Sequence, residues 1–337
     1  MRYIAVCVSV GVALSACQVD ELDVSSVEQA GMNMQGMNMQ GMNMQGMNMQ
    51  GMNMQGMNMQ GMNMQGATLG GVNLTGVRIV KGEVIAERDG QTIRGTALVG
   101  AHFMAEVATN DSPPIVGNVE YRITNVVPEA SKYDPLGTGS TYLYTLEQLR
   151  YDTGAWVPAC DPDADGRRVA IPIAASFDAR GNRVESTTLF TFGCTTGVIA
   201  KCYRWGYRPW LTNLPDMVDM HWTCTRLARA DYCGDGTAHT QDGTWINMWD
   251  RLPVPGPLQR RGLLPPLGML FEGGWNTQGA VCLSRARWLL DDTLANLCPH
   301  RLIPPGLLGA TVCDTVAEVL GHDGDAMMFN QSYLLNL

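Results

Sequence analysis

Residues 215–236 read Pro-Asp-Met-Val-Asp-Met-His-Trp-Thr-Cys-Thr-Arg-Leu-Ala-Arg-Ala-Asp-Tyr-Cys-Gly-Asp-Gly. Met217, Met220, Cys224 and Leu227 recur at intervals of three, four and three. That spacing puts them on one face of a helix running from Pro215 to about Ala230. The polar turn Cys233-Gly-Asp-Gly follows, and then the strand-like run Thr244-Trp-Ile-Asn-Met-Trp. Working upstream, four stretches alternate apolar and polar residues: Val119-Glu-Tyr-Arg-Ile-Thr-Asn-Val, Tyr142-Leu-Tyr-Thr-Leu-Glu-Gln-Leu, Arg168-Val-Ala-Ile-Pro-Ile and Thr188-Leu-Phe-Thr-Phe. Alternation with period two is the pattern of a half-buried strand. The reading is an α+β fold, β-rich and with few helices, in which disulfides assist the core.

The 337 residues suffice for about two domains. Only 16% are charged and the formal net charge is −9. An acidic balance excludes a nucleic-acid surface, which needs clustered Lys and Arg to displace counterions. Two counts stand out, 22 Met and 10 Cys. Beyond Cys7 and Cys17, the cysteines are Cys160, Cys194, Cys202, Cys224, Cys233, Cys282, Cys298 and Cys313, all after residue 159. An even number in one region of an exported chain reads as up to four disulfides, with 105 pairings open. Zinc is the rival reading, because His221-x-x-Cys224 with Cys233 offers three ligand types, but no CxxC pair accompanies them. No cofactor is expected.

The N-terminus predicts the compartment. Arg2 precedes an apolar run, Ile4 to Leu14, too short to span a bilayer. It ends Leu14-Ser15-Ala16-Cys17, which resembles the lipobox of bacterial lipoproteins. The resemblance implies a signal peptide over residues 1–16, acylation of Cys17, a linker over 17–30 and a membrane held through lipid, since several chains are needed for stable anchoring. Gln18 stands where an inner-membrane retention signal would place Asp, favouring the outer membrane and a cell-envelope location.

Residues 32–66 are Met-Asn-Met-Gln-Gly seven times over, supplying 14 of the 22 methionines. The phase continues as Ala67-Thr-Leu-Gly-Gly, Val72-Asn-Leu-Thr-Gly and Val77-Arg-Ile-Val-Lys, and again as Gln91-Thr-Ile-Arg-Gly, Thr96-Ala-Leu-Val-Gly and Ala101-His-Phe-Met-Ala. A five-residue period with apolar first and third positions resembles the pentapeptide-repeat family. The resemblance implies a short right-handed β-helix over residues 31–107, four units per coil, stabilised by stacking coils about 4.8 Å apart. Disorder of residues 31–66 stays open beside it, because an uncharged Met, Asn, Gln and Gly tract is low in complexity. The paired thioethers also suggest a Cu(I) or oxidant scavenger.

From about residue 108 the composition changes. Thr191-Phe-Gly-Cys194, Ile199-Ala-Lys-Cys202, Gly206-Tyr-Arg-Pro-Trp210, Cys224-Thr-Arg226 and Arg229-Ala-Asp-Tyr-Cys-Gly-Asp-Gly236 resemble the ADYC domain, a family of exported bacterial proteins, often lipoproteins. The resemblance is placed over residues 108–290, with 291–337 as a C-terminal extension, and implies no known reaction. The tetrad Ala230–Cys233 offers chemistry of its own: Asp231 with His221 or His239 would give a general acid/base pair, and Tyr232 an oxyanion donor. The competing reading makes Asp231 a backbone clamp, Tyr232 a packed ring and Cys233 half of a disulfide. Trp205, Trp210, Trp222, Trp245 and Trp249 fall within 45 residues, a density that would suit a glycan or protein ligand if the rings are exposed and a core if they are not. Asp161-Pro-Asp163-Ala-Asp165-Gly166 begins like a calcium loop, but Pro172 stands where a bidentate Glu is expected, leaving an Asp/Gly turn as the alternative. The expectation is a membrane-anchored envelope module with a structural or ligand-binding role, and an extracytoplasmic enzyme as the alternative.

Overall fold

The computed structural model describes residues 62–108, 116–129, 141–178, 181–211, 214–240, 244–252, 268–287, 298 and 313–333. The expected signal peptide, Cys17, the expected linker and the first six Met-Asn-Met-Gln-Gly copies lie outside the described residues. Among the described residues no helix is long and apolar enough to cross a membrane.

The chain enters through β1 (Met62–Asn63), β2 (Thr68–Leu69), β3 (Val72–Asn73), β4 (Thr75–Val80), β5 (Glu83–Arg88) and β6 (Gln91–Arg94). These strands pair antiparallel, β2 with β3, β4 with β5 and β5 with β6. The β-helix expected from the pentapeptide phase is therefore not formed over residues 67–107. The reason lies in the turns. Gly70-Gly71, Lys81-Gly82 and Asp89-Gly90 each place two consecutive residues at positive φ. That is the backbone of a tight hairpin turn whose twist matches its strands. Hairpin signals at three points override the five-residue period and fold the degenerate units into a meander.

Next come β7 (Ala101–Ala108), β8 (Val116–Pro128), β9 (Tyr142–Arg150), β10 (Ala155–Pro158), β11 (Ala170–Ile173), β12 (Ser176–Phe177), β13 (Arg183–Val184) and β14 (Leu189–Cys194). In the largest sheet β14, β11, β9, β8 and β7 are successive neighbours, and β1 pairs with both β14 and β7. The sheet thus closes on itself as an antiparallel barrel. Its inward positions follow the alternation read from sequence. Ala101, Phe103 and Ala105 of β7 face in, as do Tyr121 and Ile123 of β8. The register shifts between Ile123 and Asn125, so the next inward residue is Val126 rather than Asn125. Phe103, Phe190 and Phe192 pack edge to face at the centre, with centroids 5.0–6.3 Å apart. The meander joins this core through Val84 and Ala86, and the Val84 N–H donates to the Tyr144 hydroxyl at 2.9 Å.

A second layer follows, with α1 (Val198–Arg204), α2 (Met217–Arg229), β15 (Ile246–Asp250), β16 (Met269–Asn276), β17 (Gly279–Leu283), α3 (Val316–His322) and β18 (Met328–Tyr333). Met217, Met220, Cys224 and Leu227 all lie on the buried face of α2. They meet Ile171 and Ile173 of the barrel, α1, and the sheet ordered β15-β18-β16-β17. The other face of that sheet packs Trp249, Phe271 and Phe329 against Val319 of α3, whose first turn is closed by a Thr315/Glu318 capping box. β18 is central in this sheet. The described part of 291–337 is therefore not an appended extension but supplies a strand and a helix to the fold.

All eight late cysteines are bridged, as Cys160–Cys194, Cys202–Cys224, Cys233–Cys298 and Cys282–Cys313. The first ties the β10–β11 connection to the end of β14, and the second joins α1 to α2.

Candidate functional site

Helix α2 stops because Ala230 takes a left-handed backbone, φ 50°, with its N–H bonded to Leu227 O at 3.0 Å. A non-glycine residue in that region costs about 1–2 kcal/mol. The following side chains hold it there. Asp231 is fully buried, and its carboxylate accepts the N–H groups of Asp235 at 3.1 Å and Gly236 at 3.1 Å, as well as Nη1 of Arg226. Arg226 in turn donates to Asn182 Oδ1 at 2.7 Å and Thr277 O at 3.2 Å. Arg229 donates to Gly236 O, and burial lowers its pKa from the ordinary arginine value. The loop after the tetrad is thus wrapped around one carboxylate.

Tyr232 points the other way. Its ring lies between those of His239 and Trp275, with each centroid 5.4 Å away. Its hydroxyl donates to Glu272 Oε1 at 3.3 Å and accepts the Arg287 N–H at 2.7 Å. Burial raises its pKa well above that of a free phenol, so it stays protonated. Arg287, wholly buried, forms a two-pronged pair with Glu272 at 3.0 and 3.1 Å and caps the last carbonyls of α2, Leu227 at 2.9 Å and Ala228 at 3.0 Å. Cys233 ends the tetrad in its bridge to Cys298.

The residues proposed for acid/base chemistry are not brought together. His221 is fully buried and its Nε2 lies 3.0 Å from Ile199 O, which can only accept; the edge of Tyr203 lies across it at 4.5 Å. No hydrogen bond joins it to Asp231. His239 stacks on Tyr232 and its backbone N–H donates to Arg229 O. The arrangement locks the end of α2 to β16, β17 and the β12–β13 hairpin, and every tetrad side chain is consumed internally.

The metal readings fare no better. Cys224 and Cys233 are disulfide-bonded, so neither is a thiolate for zinc. Asp163 Oδ1 accepts the N–H groups of Asp165 and Arg167 at 3.0 and 2.9 Å, while Oδ2 meets Arg167 at 3.2 Å and Thr195 at 3.3 Å. Arg204 lies 3.5 Å from the same oxygen. Two guanidinium groups stand where a calcium ion would need oxygen ligands, and the Asp161–Asp165 stretch is an Asp/Gly turn. Among the described residues no group of three or more His, Cys, Asp or Glu side chains could hold a metal. In the last repeat copy, Met64 is 9% exposed in the barrel core, so its sulfur is core filling.

Of the clustered tryptophans, Trp205 and Trp249 are buried, Trp210 packs on Tyr203, Trp222 is half-buried, and Trp245 is 37% exposed. They are mainly core. A further aromatic arrangement, itself half-buried, lies elsewhere. On the outer face of the barrel Arg122 lies 4.3 Å from the centroid of Trp156, with the His102 ring edge-on at 5.4 Å. His102–Glu120 at 2.7 Å and Arg122–Glu147 at 2.6 Å flank them. The sequence signal for the buried lattice was a lone charge in an apolar strand, Glu272 in Met269-Leu-Phe-Glu-Gly-Gly-Trp.

No curated protein and no solved structure shows a significant match to the chain. The pentapeptide-repeat family profile matches residues 43–79 in eight copies. The ADYC domain profile matches residues 95–289, more than half of the chain, with the tetrad and its Arg226, Glu272 and Arg287 partners inside the match. The chain belongs to the ADYC domain family.

Proposed function

We propose that the chain is a bacterial cell-envelope lipoprotein, held to the outer membrane through acylated Cys17, whose head is a non-catalytic structural module. The observation that supports this reading is the sealed tetrad: Asp231 and Tyr232 spend their polar groups on the chain itself. Membrane fractionation of the full chain and of Cys17→Ala tests the anchor, with release of the variant to the soluble fraction expected. Asp231→Asn tests the head. It leaves Arg226 buried beside a neutral partner, so urea denaturation is expected to show a loss of about 3 kcal/mol. Unchanged stability combined with a lost activity would instead establish the enzyme reading.

A second reading, ligand binding, is favoured by Trp156. An aromatic ring bordered by Arg122, Glu147, His102 and Glu120 suits the alternating polar and apolar faces of a glycan. A glycan and peptidoglycan array probed with the protein and with Trp156→Ala is expected to give hits that the variant loses. Equal hits from both would place binding elsewhere.

A further inference from the structure

β1 is the last Met-Asn-Met-Gln-Gly copy at work. Met62 pairs with Phe190 of β14 and with Ala105 of β7, and Asn63 pairs with Leu189. The Met64 N–H extends the ladder to Thr188 O at 2.7 Å, and its side chain enters the core shared by Phe103, Phe190 and Phe192. Gly66 then turns the chain at φ 84°, a conformation that favours glycine. The slot between β14 and β7 therefore reads one pentapeptide: two ladder residues, an inward methionine, a solvent-facing Gln65 and a glycine turn. All six upstream copies carry the same five residues in the same order.

We propose that this slot is a binding site for the repeat unit as such, and that the upstream copies of the same chain are its alternative occupants, so that the closing strand can be supplied in steps of five residues. A slip of one residue would turn the inward methionine outward. A slip of one whole unit preserves every contact, because Met57, Asn58, Met59 and Gly61 repeat Met62, Asn63, Met64 and Gly66. The surplus unit is looped out between Gly61 and Ala67. Looping out the first unit carries a closure cost, but that cost then grows only with the logarithm of loop length, so the upstream copies compete with one another on nearly equal terms. The absence of charge from Gly31 to Val77 fits this use, since no copy brings a charge into an apolar core. Each step changes by five residues the length of chain between the N-terminus and the barrel.

Cross-strand trapping in the full chain tests the idea. Residues facing each other across antiparallel strands are close enough for a disulfide. Asn63→Cys with Leu189→Cys reports the last copy in the slot, and Asn58→Cys with Leu189→Cys reports the copy before it. Under mild oxidation, with the four native bridges confirmed by mass mapping, both pairs are expected to form. Trapping of the Asn63 pair alone would make the slot specific for the last copy and overturn the proposal; trapping of neither would remove β1 from the slot and overturn it too. A second comparison needs no added cysteine. Met64→Asp alone is expected to lower the melting temperature only slightly, while Asp at all seven third positions lowers it much further. An equal loss in both variants, or no loss in either, contradicts interchangeable copies.

Discussion

At His221 the wholly buried imidazole donates Nε2–H to the Ile199 carbonyl and keeps Nδ1 without a partner. Burial, with the Arg183 charge adding to it, lowers its pKa to about 3, against 6.5 for a free imidazole. The folded state thus binds this proton less readily than the unfolded chain. The stability associated with the neutral ring is complete above pH 6.5 and drains away as pH falls toward 3, at about 1.4 kcal/mol per pH unit. Denaturant midpoints are therefore expected to fall steadily from pH 6.5 to pH 4 and to fall less in His221→Phe, a ring of similar shape with no proton to take up. A midpoint as pH-dependent in the variant as in the parent would remove His221 as the cause. The residue letters alone could not distinguish this ring from a general base, because the distinction rests on which backbone carbonyl packs against it. The same holds for Asp231, whose partners Asp235 and Gly236 are close in sequence but whose Arg226 is itself held by Asn182 and Thr277.

Elements were far more legible than residues. The alternating runs starting near Val119, Tyr142, Arg168 and Thr188 are β8, β9, β11 and β14, and the helix read from Pro215 to Ala230 is α2. Local periodicity suffices for these because each buries one face against the same core. Pairing was not legible: β1 is drawn from a tract whose identical copies carry no register, and the barrel closure depends on it. The meander was misread because glycine at a fifth position serves a repeat and a hairpin equally well; only two successive positive φ values separate them. One element contact is tight enough to test. α3 crosses β16 at Gly274, where an added Cβ would collide with Val319. Both residues are on packed elements, so the clash cannot be relieved by a flexible tip. Gly274→Ala is expected to lower stability by about 1–3 kcal/mol, read from the urea midpoint. Val319→Ala in the same chain is expected to recover part of that loss, and failure to recover any would mean that the helix does not approach there.

Across the whole molecule the family profile and the folded unit do not share a boundary. The profile ends at residue 289, yet β18 at 328–333 lies between β15 and β16, and two disulfides reach beyond the profile to Cys298 and Cys313. Glu272 lies in β16 of that sheet and pairs with Arg287 just beyond β17, so the tetrad's own supports depend on a strand contributed from beyond the profile. Sequence could not show this, because a central strand contributed from the far end leaves no local mark. The cysteine order carries a consequence for how the chain matures. Cys160–Cys194 and Cys202–Cys224 join neighbours in sequence, and each can close as soon as both halves have emerged during synthesis. Cys233–Cys298 and Cys282–Cys313 interlace: the partner of Cys233 arrives only after Cys282 has passed. A chain oxidised strictly in order of emergence would therefore trap Cys233 with Cys282, and reaching the native pairing requires either delayed oxidation or a disulfide isomerase to undo the first choice.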